Sequence, residues 1–133
     1  MTMTITIICA VVLIAVALVA CNKRSKPNNE IIVGGLYASK REDGTFRVSK
    51  VLAFDESVVH VRIYKNKFQS LPQNLDSSIL SLGQIGDSDG FGMGHVPIAK
   101  EGWLGSHTFL KQEPVKDEEL EGYKYYLEQT QKQ

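Results

Sequence analysis

The amino-acid sequence predicts a mostly β domain of the α+β class. It would be a small antiparallel sheet or closed barrel with one C-terminal helix, preceded by an N-terminal hydrophobic helix. Three observations predict it. Short runs rich in β-branched and aromatic residues begin at Ile31 and are separated by turn signals. Leu120, Tyr123 and Leu127 recur at helical spacing behind Pro114. Residues 5–20 hold one polar side chain, Thr6, and no charge.

The apolar segment comes first. Sixteen residues, 5–20, make a helix of about 24 Å, short of a ~30 Å hydrocarbon core. Counting from Met1 to Cys21 brings it to about 31 Å. Residues 18–21, Leu-Val-Ala-Cys, resemble the lipobox of bacterial lipoproteins. Small side chains beside the scissile bond suit signal-peptidase cleavage. Cys21 is then the lipidation residue, taking a diacylglyceryl group and an N-terminal acyl chain such as palmitate, enough for stable anchoring. Lys23, Arg24 and Lys26 follow the run, and the positive-inside rule reads them the other way: a retained single-pass inner-membrane anchor with a cytoplasmic domain. The resulting organisation is a signal peptide or anchor (1–21), a polar tether (22–30) and one globular domain (31–133). The expected location is the bacterial cell envelope, lipid-anchored and facing the periplasm.

The body reads as strands with clear punctuation. In 31–39, Gly34-Gly35 marks a bend or bulge. Asp43-Gly44 is a hairpin signal. Over 46–54, Phe46, Val48, Leu52 and Phe54 fall on one side, and Arg47, Ser49, Val51 and Ala53 on the other. Over 58–64, Val59, Val61 and Ile63 face the core, while Val58, His60, Arg62 and Tyr64 face away. Pro72 marks a loop, Ile79 to Ile85 reads as a strand, and the Gly-rich stretch 86–95 as an irregular loop. Residues 96–105 are ambiguous, with a short helical turn near Trp103, and 107–113 reads as the last strand. The closing helix opens on Asp117 to Glu119, which suits its positive dipole end. Gly122 weakens that helix by about 1 kcal/mol relative to Ala.

The three closely spaced strands over residues 31–64 look like the start of an SH3-like or Tudor-like barrel. More broadly, Gly34-Gly35-Leu36-Tyr37, "KVLAFDESVVHVRIYKNKF", "GFGMGHVPI" and "QEPVKDEELEGY" resemble a small family of uncharacterised bacterial proteins with no known activity. The resemblance implies a bacterial source and a compact α+β domain, and assigns no catalytic residue.

The chain is electrically neutral, but residues 22–70 carry a balance of +5 and residues 71–133 one of −5. That layout is compatible with a charged partner and argues against a nucleic-acid binder. Both cysteines, Cys9 and Cys21, lie in the apolar segment, so the domain has no internal disulfide and no Cys-ligated zinc. An EF-hand loop from Asp87 would need an acid at Ile98. The glycines at 90, 92 and 94 are followed by no Gly-Lys-Ser/Thr. The histidines 60, 95 and 107 form no helical metal pair, and no metal or other cofactor is expected. Arg and Tyr are interface-anchoring types, so His60, Arg62 and Tyr64 make the candidate binding row. The alternative is that the C-terminal helix lies over that row.

The expected function is therefore a membrane-anchored lipoprotein that binds a protein partner without catalysis, one form being an immunity-type inhibitor of a delivered toxin. The alternatives are a small hydrolase or metal-dependent enzyme built on residues 86–95 with His95 and Asp87 or Asp89, and a passive envelope assembly subunit.

Overall fold

The computed structural model describes residues 30–133. Cys21, the predicted anchor and nearly all of the tether lie outside the described residues. Five strands form one antiparallel sheet: β1 (Gly35–Lys40), β2 (Phe46–Phe54), β3 (Val58–Phe68), β4 (Met93–Ala99) and β5 (Thr108–Gln112). Their order is β4-β3-β2-β1-β5, with β4 and β5 as opposite edges, so the sheet is open and is not a barrel. Helix α1 (Lys100–Trp103) links β4 to β5. A 3-10 turn, Asp117–Leu120, runs into α2 (Glu121–Thr130) as one fourteen-residue helical segment.

The strands form where turn chemistry and alternation agree. Between β1 and β2, the Arg41 N–H donates to the Thr45 carbonyl at 2.7 Å, and Gly44 supplies φ 84°. Gly34, at φ 81°, immediately precedes β1, and a Cβ there would run into the backbone carbonyl of Glu113. That close approach lets β5 pair with β1, through a register shift between Leu36 and Tyr37.

The first face carries Tyr37, Val51, Val59 and Val61, all buried, with Ile63, Val96, Ile98 and Phe109 packed around them. Because β4 and β5 are opposite edges, the connection between them must cross the sheet, and Trp103 anchors that crossing. Its ring is 2% exposed and meets Tyr37 edge-on at 5.3 Å. The Tyr37 hydroxyl accepts from the Ile32 N–H and donates to the Glu30 carbonyl, fixing where the chain enters the sheet. The second face is also covered. There Leu36, Val48, Tyr64 and Leu75 pack with Phe68, Leu80, Leu82 and Leu110.

Two predicted elements differ. Residues 79–85 are not a strand. Asp76 caps a 3-10 turn, Ser77–Ile79, and the chain then follows the outer edge of β3. It is held by the Lys65 N–H donating to Ser81 and by the Asn66 amide, which bonds both Ile79 and Ser81. A side-chain amide replaces ladder bonds there, so the segment attaches without becoming a strand. Conversely, residues 93–99 form β4, a strand the glycines and Pro97 disguise. Pro97 is tolerated because an edge strand leaves donors unpaired anyway.

Helix α2 docks on the second face at Gly122. A Cβ at that position would stand 2.6 Å from the His95 Cβ. Gly122→Ala should raise intrinsic helix propensity by about 1 kcal/mol. Here it should instead destabilise the domain by about 1–3 kcal/mol through overpacking, as read by urea unfolding.

Candidate functional site

The second face is unusual in carrying charge at its centre. Leu36, Lys50 and Arg62 are cross-strand neighbours on β1, β2 and β3, so their side chains share one face. Lys50 is 3% exposed. Its ammonium donates to the Pro114 carbonyl at 2.8 Å and to both Glu119 carboxylate oxygens at 3.2 and 2.9 Å. Burial alone would raise the Glu119 pKa. The Lys116 N–H and the Lys50 ammonium outweigh it and hold the carboxyl below its usual value.

Beside this pair lies a cleft of about 700 Å³, a volume suited to a small ligand or a partner's side chain. Lys50, Arg62 and Tyr64 line it from the sheet, with Ser77 and Ser78 on one side and Glu113 and Glu119 among the residues on the other. Glu113 accepts from the Ser77 hydroxyl and pairs with Lys111, which keeps it ionised below the normal carboxylate range. Burial, then the Glu119 charge, pushes the Tyr64 hydroxyl up to about 12, so it stays protonated and able to donate. Arg62 has no carboxylate partner within ion-pair reach among the described residues, and its Nε is buried without a hydrogen bond.

The candidate row therefore divides. Arg62 and Tyr64 reach the cleft. His60 does not, because it is 3% exposed beneath α2. Its Nδ1 lies 2.9 Å from His95 Nε2, with the two rings stacked. Tyr123 and Tyr126 cover the pair, their ring centroids 4.6 and 5.0 Å from His60. Sequence spacing could not reveal the His60–His95 contact, because it depends on the pairing of β3 with β4. Lys50 is placed near this row by its strand position, but its burial was not legible. It interrupts an apolar alternation and reads as a solvated residue until its partners 64 and 69 positions away are known.

The residues of the hydrolase alternative do not converge. His95 faces His60, whereas Asp87 and Asp89 pair with Lys65 at 3.5 and 3.1 Å. His107 stacks on Trp103 at 3.6 Å, on the first face, and its Nδ1 lies 3.1 Å from the Trp103 carbonyl. Among the described residues, no three His, Cys, Asp or Glu side chains are placed to hold a metal ion. No protein-family model, curated protein or solved structure matches the chain.

Burial lowers the pKa of His60, His95 and His107 below the usual 6.5, with the neighbouring His60 charge adding to the shift of His95. Asp55 partly opposes it at His60. The unfolded chain then binds protons at a pH where the folded chain does not, so stability must fall as pH drops below about 6.5. Urea melts between pH 7.5 and 5 should show that loss. His60→Gln combined with His95→Gln should flatten the slope to the share of His107.

Proposed function

We propose that this chain is a non-catalytic binding domain, tethered to a bacterial membrane, whose cleft at Arg62 and Tyr64 receives an acidic group of a partner protein. The observation that carries the reading is the Arg62 guanidinium, which lines that cleft with no carboxylate partner among the described residues. A guanidinium offers a planar fork of donors that matches a carboxylate, and such charge-assisted bonds are the strong ones. The Tyr64 hydroxyl adds a neutral donor beside it. Lys50 cannot compete for the incoming group, since three acceptors within the chain already hold its ammonium.

The envelope location rests on the lipobox-like residues 18–21, and an immunity-type inhibitor of a delivered toxin is one form the partner relationship would take. A short tether and a lipid on Cys21 would keep the cleft within reach of proteins at the membrane surface. Intact-protein mass spectrometry should find Cys21 as the first residue, carrying acyl chains. A chain that keeps Met1 with an unmodified Cys21 would replace this anchor with the single-pass one.

A photo-crosslinking residue in place of Ser78, on the cleft wall, should yield a discrete adduct in cells that express the full chain. Arg62→Gln should reduce that adduct roughly tenfold, the scale of one charged hydrogen bond. Tyr64→Phe should reduce it less. An adduct indifferent to Arg62 would count decisively against the cleft as the binding site.

A further inference from the structure

A second cationic cluster lies on the other face of the sheet, at the far end of β3. Arg47 and Lys67 are directly opposed in the pairing of β2 with β3. Like charges in that position repel. Lys65 lies two residues from Lys67 on the same strand, and the four side chains of Arg41, Arg47, Lys65 and Lys67 line one pocket of about 320 Å³. Two carboxylates lie nearby, and one of them, Asp89, lines the same pocket. Asp43 accepts from the Thr45 N–H and hydroxyl at 3.0 and 2.6 Å, and Asp89 pairs with Lys65 at 3.1 Å. Arg41, Arg47 and Lys67 have no ion-pair partner among the described residues. The Arg47 Nε is buried with no hydrogen bond. Phe91, 46% exposed, forms part of the rim.

This arrangement has a local cost. Burial and then the charge of Arg41 depress the Arg47 pKa, and the four cations of the pocket face a single lining carboxylate, that of Asp89. That carboxylate is already paired with Lys65, so the pocket keeps an excess of positive charge. A tetrahedral oxyanion would resolve the repulsion, since it presents several acceptors to forked donors arriving from different directions.

We propose that Arg41, Arg47 and Lys67 form a binding site for a phosphate group, either free or in the headgroup of a phospholipid. The site is independent of the cleft at Arg62, which opens on the opposite face.

The test uses the full chain in detergent micelles. Inorganic phosphate is titrated at constant ionic strength and followed by backbone amide and arginine Nε–H NMR signals. The expected result is saturable shifts at Arg41, Arg47, Lys67 and Phe91, and binding weakened roughly tenfold or more by Arg47→Gln. Lys67→Gln, at an exposed position, should weaken it similarly, and Lys124→Gln, exposed on α2 and outside the pocket, should leave it unchanged. Both cluster variants should melt no lower than the parent in phosphate-free buffer, because each removes a repulsion. A parallel titration with water-soluble dihexanoyl phosphatidylglycerol separates the sources: tighter binding than phosphate assigns a lipid headgroup, and equal or weaker binding assigns the free anion. Absence of saturable shifts with both probes, or shifts that persist unchanged in Arg47→Gln and Lys67→Gln, would overturn the proposal.

Discussion

The buried ammonium of Lys50 constrains the rest of the second face. It sits near the middle of β2, the central strand, where water cannot solvate it. A buried cation left without partners costs several kcal/mol. Its three bonds come from Pro114 and Glu119, so the chain after β5 must return across the sheet at that point. This return positions the 3-10 turn at 117–120, and the turn aims α2 at His60 and His95. The cleft is the space left between the returning segment and the turn at Ser77–Ile79. Folding of the core, placement of the helix and shape of the cleft thus share one ion pair. Buried pairs add little net stability, but they specify geometry by making alternatives expensive.

The two faces of the sheet divide the labour differently. The first is closed by apolar packing, with Trp103 crossing over Tyr37 and Val51 beside it in the same cluster. The second mixes apolar packing with a row of polar groups: Lys50, Arg62, His60 and His95. The histidine pair is satisfied by mutual hydrogen bonding, which needs one ring to donate and the other to accept. A second proton would turn both facing nitrogens into donors. At least one neutral ring therefore belongs to the docked position of α2, and Gly122 provides the room that the close approach requires.

Much of this fold was legible in the sequence because local signals dominated. Asp43-Gly44 marked the first hairpin, the alternation of Val59, Val61 and Ile63 found the apolar face, and Leu120, Tyr123 and Leu127 found the helix. The failures were long-range. Pro97 and Gly94 hid β4, because their tolerance depends on its being an edge strand. Ile79 to Ile85 alternated like a strand, but Asp76 capping and the Asn66 amide supplied other partners for its backbone. At the candidate site, Arg62 and Tyr64 were identifiable by type and face. The burial of His60 was open, since it turned on where α2 would land. Periodicity reports which side of a strand a residue occupies and is silent about what covers that side.

The contrast among three cations then bears on function. Lys50, Arg47 and Arg62 lie on two adjacent strands, with a register shift between Arg47 and the Lys50–Arg62 pair. For Lys50 the chain supplies a full set of acceptors from positions 64 and 69 residues away, at good hydrogen-bond distances. The fold is therefore able to satisfy a buried cation when that cation is structural. It leaves the buried Nε of Arg47 and of Arg62 unbonded, and the two residues line pockets on opposite faces. A buried donor without an acceptor costs about 1–3 kcal/mol, and such a cost persists most readily where the acceptor arrives from outside the chain. The difference in treatment, rather than the positive charge itself, is what separates these two arginines from a merely solvated surface.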